Sequence, residues 1–247
     1  MDIQDFPFLS QDEFTEACHH LENRYRQATL GPVRRRWRLR LLTALDLGAS
    51  SRPPTSAHSP GHTKYIQIVR PLEETADPGN LSLDLGTFSI SDSATAEAAE
   101  AAMLSADSDM RDAEEADDAV MGSQRMDLAF GQVTYEIHLH PTYRLPCLWF
   151  TLQNLPHGEV AFDIDTVFRR LVPDEYKAGL RRGVGGIGGI SADHHPVTGV
   201  PAFFVHPCMV GDAISGFECS CQDYLMIWLG LVGGCVGLWV PKEMATP

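Results

Sequence analysis

Val133, Tyr135, Ile137 and Leu139 alternate with Thr134, Glu136, His138 and His140, the period-two pattern of a strand with one buried face. Pro141 to Pro146 supplies turn residues, and Cys147 to Leu152 follows as the return strand of an antiparallel hairpin. His138 and His140 share the polar side of the first strand. They are expected to be solvated there, metal binding being the alternative that two histidines on one face invite. As a hypothesis about recognition, the hairpin from Gln132 to Leu152 is taken to offer a sheet edge to which a strand of a partner could add.

Helical spacing marks other segments. Ser10-Gln-Asp-Glu13 has the spacing of a capping box, and Phe14, Cys18, Leu21 and Tyr25 recur on one face behind it, predicting an amphipathic helix that runs toward Gly31-Pro32. Asp163 to Leu171 reads as a short helix capped by Asp163, with Ile164, Val167, Phe168 and Leu171 inward. Asp223 to Val232 is apolar nearly all round, as a buried helix is. Arg34 to Arg40 interleaves basic residues with Trp37 and Leu39 and is expected to be an edge strand guarded by solvated arginines in preference to a nucleic-acid patch. Lys64 to Val69 is a further short strand, reached through a Ser/Pro-rich loop from Ala49 to Gly61.

One long stretch has no such period. Between about Leu72 and Asp127 the chain is alanine, serine and carboxylates with almost no aromatic residue, too little apolar surface to offset the entropy of ordering it. The expected organisation is therefore an N-terminal helix and first strands over 1–71, an acidic disordered insertion over 72–127, and the remainder of one core over 128–247. That stretch also explains the charge. The formal net charge is −14, but Asp92 to Asp118 holds ten acids and one base; taking these from totals of 33 and 19 leaves −5 for the rest. A mildly acidic core argues against nucleic-acid partners, which need a basic face.

The six cysteines are expected to be reduced thiols, because no charged-then-apolar leader stands at the N-terminus. Leu225 to Val240 is the most membrane-like run, but it is shorter than the roughly 20 residues a span requires and is broken by Gly230, Gly233, Gly234 and Gly237. These features predict a soluble, cytoplasmic protein with no membrane span.

The candidate chemistry centres on Pro201-Ala-Phe-Phe-Val-His-Pro-Cys208, an apolar strand that must end at Pro207, which has no N–H to give and a fixed φ. Cys208 is thereby expected at a rim. Three readings of the thiols stay open on the residues alone. Zinc could use His194, His195, His206, Cys208, Cys219 and Cys221, although their spacing fits no pair-plus-pair pattern. A hydrolase could activate Cys208 with His194, His195 or His206. A carrier thiol would accept an acyl group as a thioester and pass it to an amine, which needs exposure and a rigid mount. Gly183-Val-Gly-Gly-Ile-Gly188 has G-x-G-x-x-G spacing, yet it follows a basic helical segment and no strand, so a flexible loop is expected there and not a nucleotide cradle.

His206-Pro207-Cys208, with His195-Pro196-Val-Thr-Gly-Val-Pro-Ala-Phe-Phe-Val205 before it, resembles the active-site region of the autophagy-related protein 10 family, ubiquitin-conjugating-enzyme-like ligases. The resemblance extends to His140-Pro-Thr-Tyr-Arg-Leu-Pro-Cys-Leu-Trp-Phe150 and to Tyr224, Trp228, Leu229, Val232, Val236-Gly-Leu238 and Pro241, covering about the last half of the chain. The His-Pro-Cys tripeptide alone is shared with the autophagy-related protein 3 family. The resemblance implies an α+β, ubiquitin-conjugating-enzyme-like fold, an antiparallel sheet with flanking helices. It implies that Cys208 carries the ubiquitin-like autophagy protein 12 as a thioester received from the activating enzyme, autophagy-related protein 7. A lysine of autophagy protein 5 would then accept it. His206 and Pro207 would position the loop, and no metal or organic cofactor would be required. Ordinary ubiquitin-conjugating enzymes have an asparagine after a His-Pro pair where this chain has its cysteine. The oxyanion donor must then come from elsewhere, from amides around Met209 and Val210 or a side chain near His195; Tyr135 and Tyr143 could line the site, although core or turn packing is the expected role for them. Met209-Val210 departs from the family, whose members carry a polar or charged residue and a threonine there. A non-catalytic homologue that binds the same partners, or a zinc-stabilised binding protein, is the alternative.

Overall fold

The computed structural model describes residues 3–45, 62–72, 131–182, 188–217 and 219–245. The loop expected over 49–61, the insertion beyond Leu72 and residues 183–187 of the glycine-rich run lie outside the described residues.

Helix α1 is Gln11–Gln27, and its start is the expected capping box: the Ser10 hydroxyl accepts the Glu13 N–H at 3.3 Å, and the Glu13 carboxylate accepts the Ser10 N–H at 2.7 Å. Hydrogen bonds from the backbone of Gln4 and then Ser10 hold the Glu13 carboxyl below its ordinary range. The helix buries Phe14, Ala17, Cys18, Leu21 and Tyr25. It stops at Gln27, short of Gly31. There Arg34, on the four-residue helix α2 (Val33–Arg36), donates to the Tyr25 and Ala28 carbonyls and lies 4.6 Å over the Tyr25 ring. A cation thus satisfies the orphan carbonyls at the α1 C-terminus. The expected strand over Arg34–Arg40 is corrected accordingly: its first residues are helical, and strand pairing begins at Arg38.

Among the described residues six strands follow: β1 (Arg38–Leu45), β2 (His62–Pro71), β3 (Gln132–Leu139), β4 (Pro146–Gln153), β5 (Ile190–His194) and β6 (Pro201–Val205). All pair antiparallel in the order β1-β2-β3-β4-β6-β5. The β3–β4 hairpin is therefore central, and the edges are β1 and β5. The expectation that the hairpin is a sheet edge is corrected: β2 runs along β3, and β6 pairs with Leu148–Phe150 of β4. Local alternation identifies a strand but says nothing of its neighbours.

The register aligns the apolar positions into continuous rows. Leu39, Ile68, Tyr135, Phe150 and Phe203 are successive partners across five strands, and Leu41, Ile66, Ile137, Leu148 and Val205 form a second row. This inner face is covered by α1 and by helix α6 (Cys221–Val232), whose Tyr224, Leu225, Trp228, Leu229 and Val232 are buried. Each such side chain contributes about 1.5–3 kcal/mol through burial. Tyr135 sits in the middle of this core, its hydroxyl donating to the Val236 carbonyl at 2.6 Å. Between β4 and β5 the chain forms α3 (Ile164–Arg170), capped by Asp163, which accepts the Thr166 N–H at 2.8 Å, and α4 (Asp174–Arg182). Ile164 is exposed, contrary to expectation, while Val167, Phe168 and Leu171 are inward. The fold class is α+β with helices flanking an antiparallel sheet, as expected. No described helix is long and apolar enough to cross a membrane.

Candidate active site

Strand β6 buries Phe203 and Val205 and loses its β4 partner after Val205. His206 follows, then Pro207 opens a 3-10 turn (Pro207–Met209) that runs into helix α5 (Val210–Ser215). Pro207 and Val210 are buried, so Cys208 and Met209 are carried between two anchors and held outward; Cys208 is exposed. His206 Nδ1 accepts the Cys208 N–H at 3.2 Å, and the Val210 N–H is given to the Pro207 carbonyl. These two amides are spent on the turn itself. Of the oxyanion donors considered from sequence, the Val210 amide is thus already committed.

Two further groups reach this rim. The Tyr143 ring lies 5.4 Å from His206 in a T-shaped contact, and His140 lies 4.8 Å from Tyr143. Partial burial and then the neighbouring His206 push the His140 imidazole below its ordinary value, favouring the neutral ring. Tyr143 is exposed beside the thiol loop, whereas Tyr135 is in the core and lines nothing.

The same local device occurs three times. At His140-Pro141, His195-Pro196 and His206-Pro207 the imidazole Nδ1 accepts the N–H two residues on, from Thr142 at 3.2 Å, Val197 at 3.3 Å and Cys208 at 3.2 Å. Proline removes the intervening donor, and the ring substitutes for a carbonyl in the turn. The recurrence of His-Pro was the sequence signal for it, and sequence reasoning passed over it.

On the opposite, outer face the structure overturns the solvated reading of His138. The β5–β6 turn folds over the sheet and brings His195 to Glu136 at 2.9 Å, while His138 meets the same carboxylate oxygen at 3.0 Å and is only 12% exposed. Gln67 donates to the other Glu136 oxygen at 2.9 Å. Burial alone would raise the Glu136 pKa, but the hydrogen bonds from His138, His195 and Gln67 together outweigh it and hold the carboxyl well below its ordinary range. Burial keeps His138 neutral. The donor set resembles that of a metal site, and the three groups lie within 4.8 Å of one another. The lone pair of His195, however, sits on Nδ1, where it accepts the Val197 and Thr198 N–H groups at 3.3 Å, so its proton is on Nε2, facing Glu136. A neutral ring cannot offer lone pairs on both sides. The cluster fits a hydrogen-bonded bridge between sheet and hairpin, not a resident metal. A cleft of about 520 Å³ beside it is lined by Glu136, Trp149, Phe162, His195 and Val200 and does not include Cys208, so it offers the thiol no substrate groove.

The remaining thiols are elsewhere. Cys221 donates to the Glu13 carbonyl in the core, Cys147 to Val205 and Cys235 to Val232, and burial raises their pKa values to about 11, 12 and 12. The sixfold zinc set is not assembled: His195 faces Glu136 while Cys221 is buried against α1.

Residues 13–243 match the family described as autophagocytosis associated protein, active-site domain. The chain belongs to this family. The ubiquitin-like-conjugating enzyme ATG10 of Gibberella zeae is 62% identical to it over 245 residues, which are 99% of each chain. Among the described residues, the exposed thiol stands on the His206-Pro207-Cys208 turn.

Proposed function

We propose that Cys208 carries autophagy protein 12 as a thioester, received from the activating enzyme autophagy-related protein 7 and passed to a lysine of autophagy protein 5. The chain is a ubiquitin-like-conjugating enzyme of autophagy, a transferase; the carrier residue and these partners are the reading offered here, with the cytoplasm as its compartment. The observation that carries it is that Cys208 is the one cysteine of six described as exposed, on a turn anchored at both ends.

In the first step the Cys208 thiolate attacks the modifier's C-terminal carbonyl; a new S–C bond forms and the activating enzyme's S–C bond breaks, releasing its thiolate. In the second, the lysine amine attacks the same carbonyl, an N–C bond forms, the Cys208 S–C bond breaks, and the amine's proton leaves to solvent. Both steps are nucleophilic displacements that need no cofactor. An oriented amine outcompetes water, so the enzyme's task is mainly placement. His206 and Pro207 serve that placement, His206 through the Cys208 N–H and Pro207 as the buried start of the turn. Tyr143, whose ring lies 5.4 Å from that of His206, would border the acyl group in this reading.

Intact mass spectrometry of the protein after incubation with activating enzyme, modifier and ATP tests the reading. A covalent adduct removed by hydroxylamine and mapped to Cys208 supports it; an adduct on another residue, or none on folded protein, contradicts it.

A further inference from the structure

The last residue of the glycine-rich run, Gly188, lies against the main chain of His206. Its φ is +81°, and a Cβ there would stand 2.2 Å from the His206 carbonyl oxygen and 3.2 Å from its carbon. No side chain fits at that distance, and the oxygen belongs to backbone, which cannot swing aside. The next residue grips the other side: the Gly189 carbonyl accepts the His206 N–H at 2.9 Å. A Cβ at Gly189 would meet nothing nearer than the Leu180 carbonyl oxygen at 3.9 Å, so the steric demand falls on Gly188 alone. Past Val205 the β4–β6 and β5–β6 ladders have ended. His206 is thus held by this two-glycine step, and its ring in turn holds the Cys208 N–H.

We propose that Gly188 is a positioning residue for acyl transfer: its missing side chain lets the backbone close on the His206 carbonyl and so fixes the ring that orients the Cys208 turn. The inference rests on the reading of Cys208 as carrier. A displaced His206 would leave the thioester formed but poorly aimed, and misplacement by about 1 Å at a reacting centre slows a reaction by up to about a hundredfold.

Gly158 supplies a matched control, since its φ of +94° imposes a similar backbone penalty on alanine while nothing lies within 4 Å of a Cβ there. Loaded enzyme is chased with increasing acceptor in the wild type, Gly188→Ala and Gly158→Ala. Gly188→Ala is expected to lower the maximal discharge rate at least about tenfold at an unchanged half-saturating acceptor concentration, and Gly158→Ala to stay within about twofold of wild type, both assayed at a temperature where each variant is folded. Equal rates in the two variants would overturn the proposal. Should Gly188→Ala not fold, Gly188→Asn and Gly158→Asn replace the pair, because asparagine takes positive φ more readily yet still carries a Cβ. Loss of the fold in both Gly188 variants alone would overturn the proposal as well, by making the contact a support of the whole domain. Amide exchange of Cys208, measured without partners, separates this claim from the carrier reading. It should accelerate at least about tenfold in the Gly188 variant and not in the Gly158 variant, whether or not wild type forms an adduct. Unchanged exchange at Cys208 would count against Gly188 even if the carrier reading holds.

Discussion

His206 Nδ1 accepts the backbone N–H of Cys208 at 3.2 Å, so the ring is tied to the thiol's main chain and its proton lies on Nε2. The histidine acts on the loop's shape, as a turn-capping asparagine would. His206→Ala should therefore cost about 1 kcal/mol, the worth of a side-chain cap, and slow discharge severalfold. His206→Asn, whose carbonyl can accept the same N–H, should recover much of the rate. Equal loss in both variants, in single-turnover discharge, would show that the ring does more than hold the turn.

Thiol reactivity should separate along burial. Cys147 and Cys235 are raised to about 12 and Cys221 to about 11, with their S–H groups donated to carbonyls, and burial raises Cys18 further. Iodoacetamide at neutral pH is expected to modify Cys208 first and the half-exposed Cys219 more slowly, leaving the others intact in the folded protein. Peptide mapping over time checks this, and early labelling of Cys147 or Cys235 would contradict the described packing.

Acid should weaken the fold in two stages. The folded state disfavours protonating His138, whose pKa is pushed below 6.5 by burial, so the unfolded chain takes up that proton first and stability falls as pH drops through 6.5. Glu136 is held below 4.5 against its own burial by His138, His195 and Gln67, so its contribution is present above 4.5 and lost below it. Melting temperatures from pH 8 to pH 3 should fall in both ranges. Glu136→Gln should lower stability by about 1–3 kcal/mol at neutral pH and flatten the slope below 4.5. An unchanged slope would remove Glu136 from the explanation.

The domain division proposed from composition can be tested by shortening. Leu72 donates its N–H to the Gly131 carbonyl at 2.6 Å, and Pro71 pairs with Gln132, so the ends that flank residues 73–130 are already hydrogen-bonded neighbours. A short Asn-Gly turn in place of 73–130 should join β2 to β3 with native-like melting and adduct formation. Failure to fold would mean that the segment contributes to the core.

What could be read from the chain was local. The Ser10–Glu13 box and the alternation from Val133 to Leu139 mark α1 and β3 because capping and strand period depend on near neighbours. The exposure of Cys208 was legible in the same way, since Pro207 ends the strand that leads to it. The outer-face burial of His138 was not, because it depends on His195 returning across the sheet on a later hairpin. Nor was the central place of the β3–β4 hairpin, which is set by β6 docking against β4. Arg34 looked like a strand guard because its partners, the last carbonyls of α1, are defined only once that helix has ended. Gly188 was hidden by a familiar spacing: G-x-G-x-x-G drew attention to phosphate, while the constraint at its last position comes from a backbone oxygen at His206.

The most direct measurement is a non-reducing gel of wild type, Cys208→Ala and Cys208→Ser after incubation with activating enzyme, modifier and ATP. The account predicts a reductant-sensitive adduct on wild type, none on the alanine form, and a reductant-resistant ester on the serine form. A wild-type adduct that survives in Cys208→Ala, or folded wild type that forms none, would contradict it.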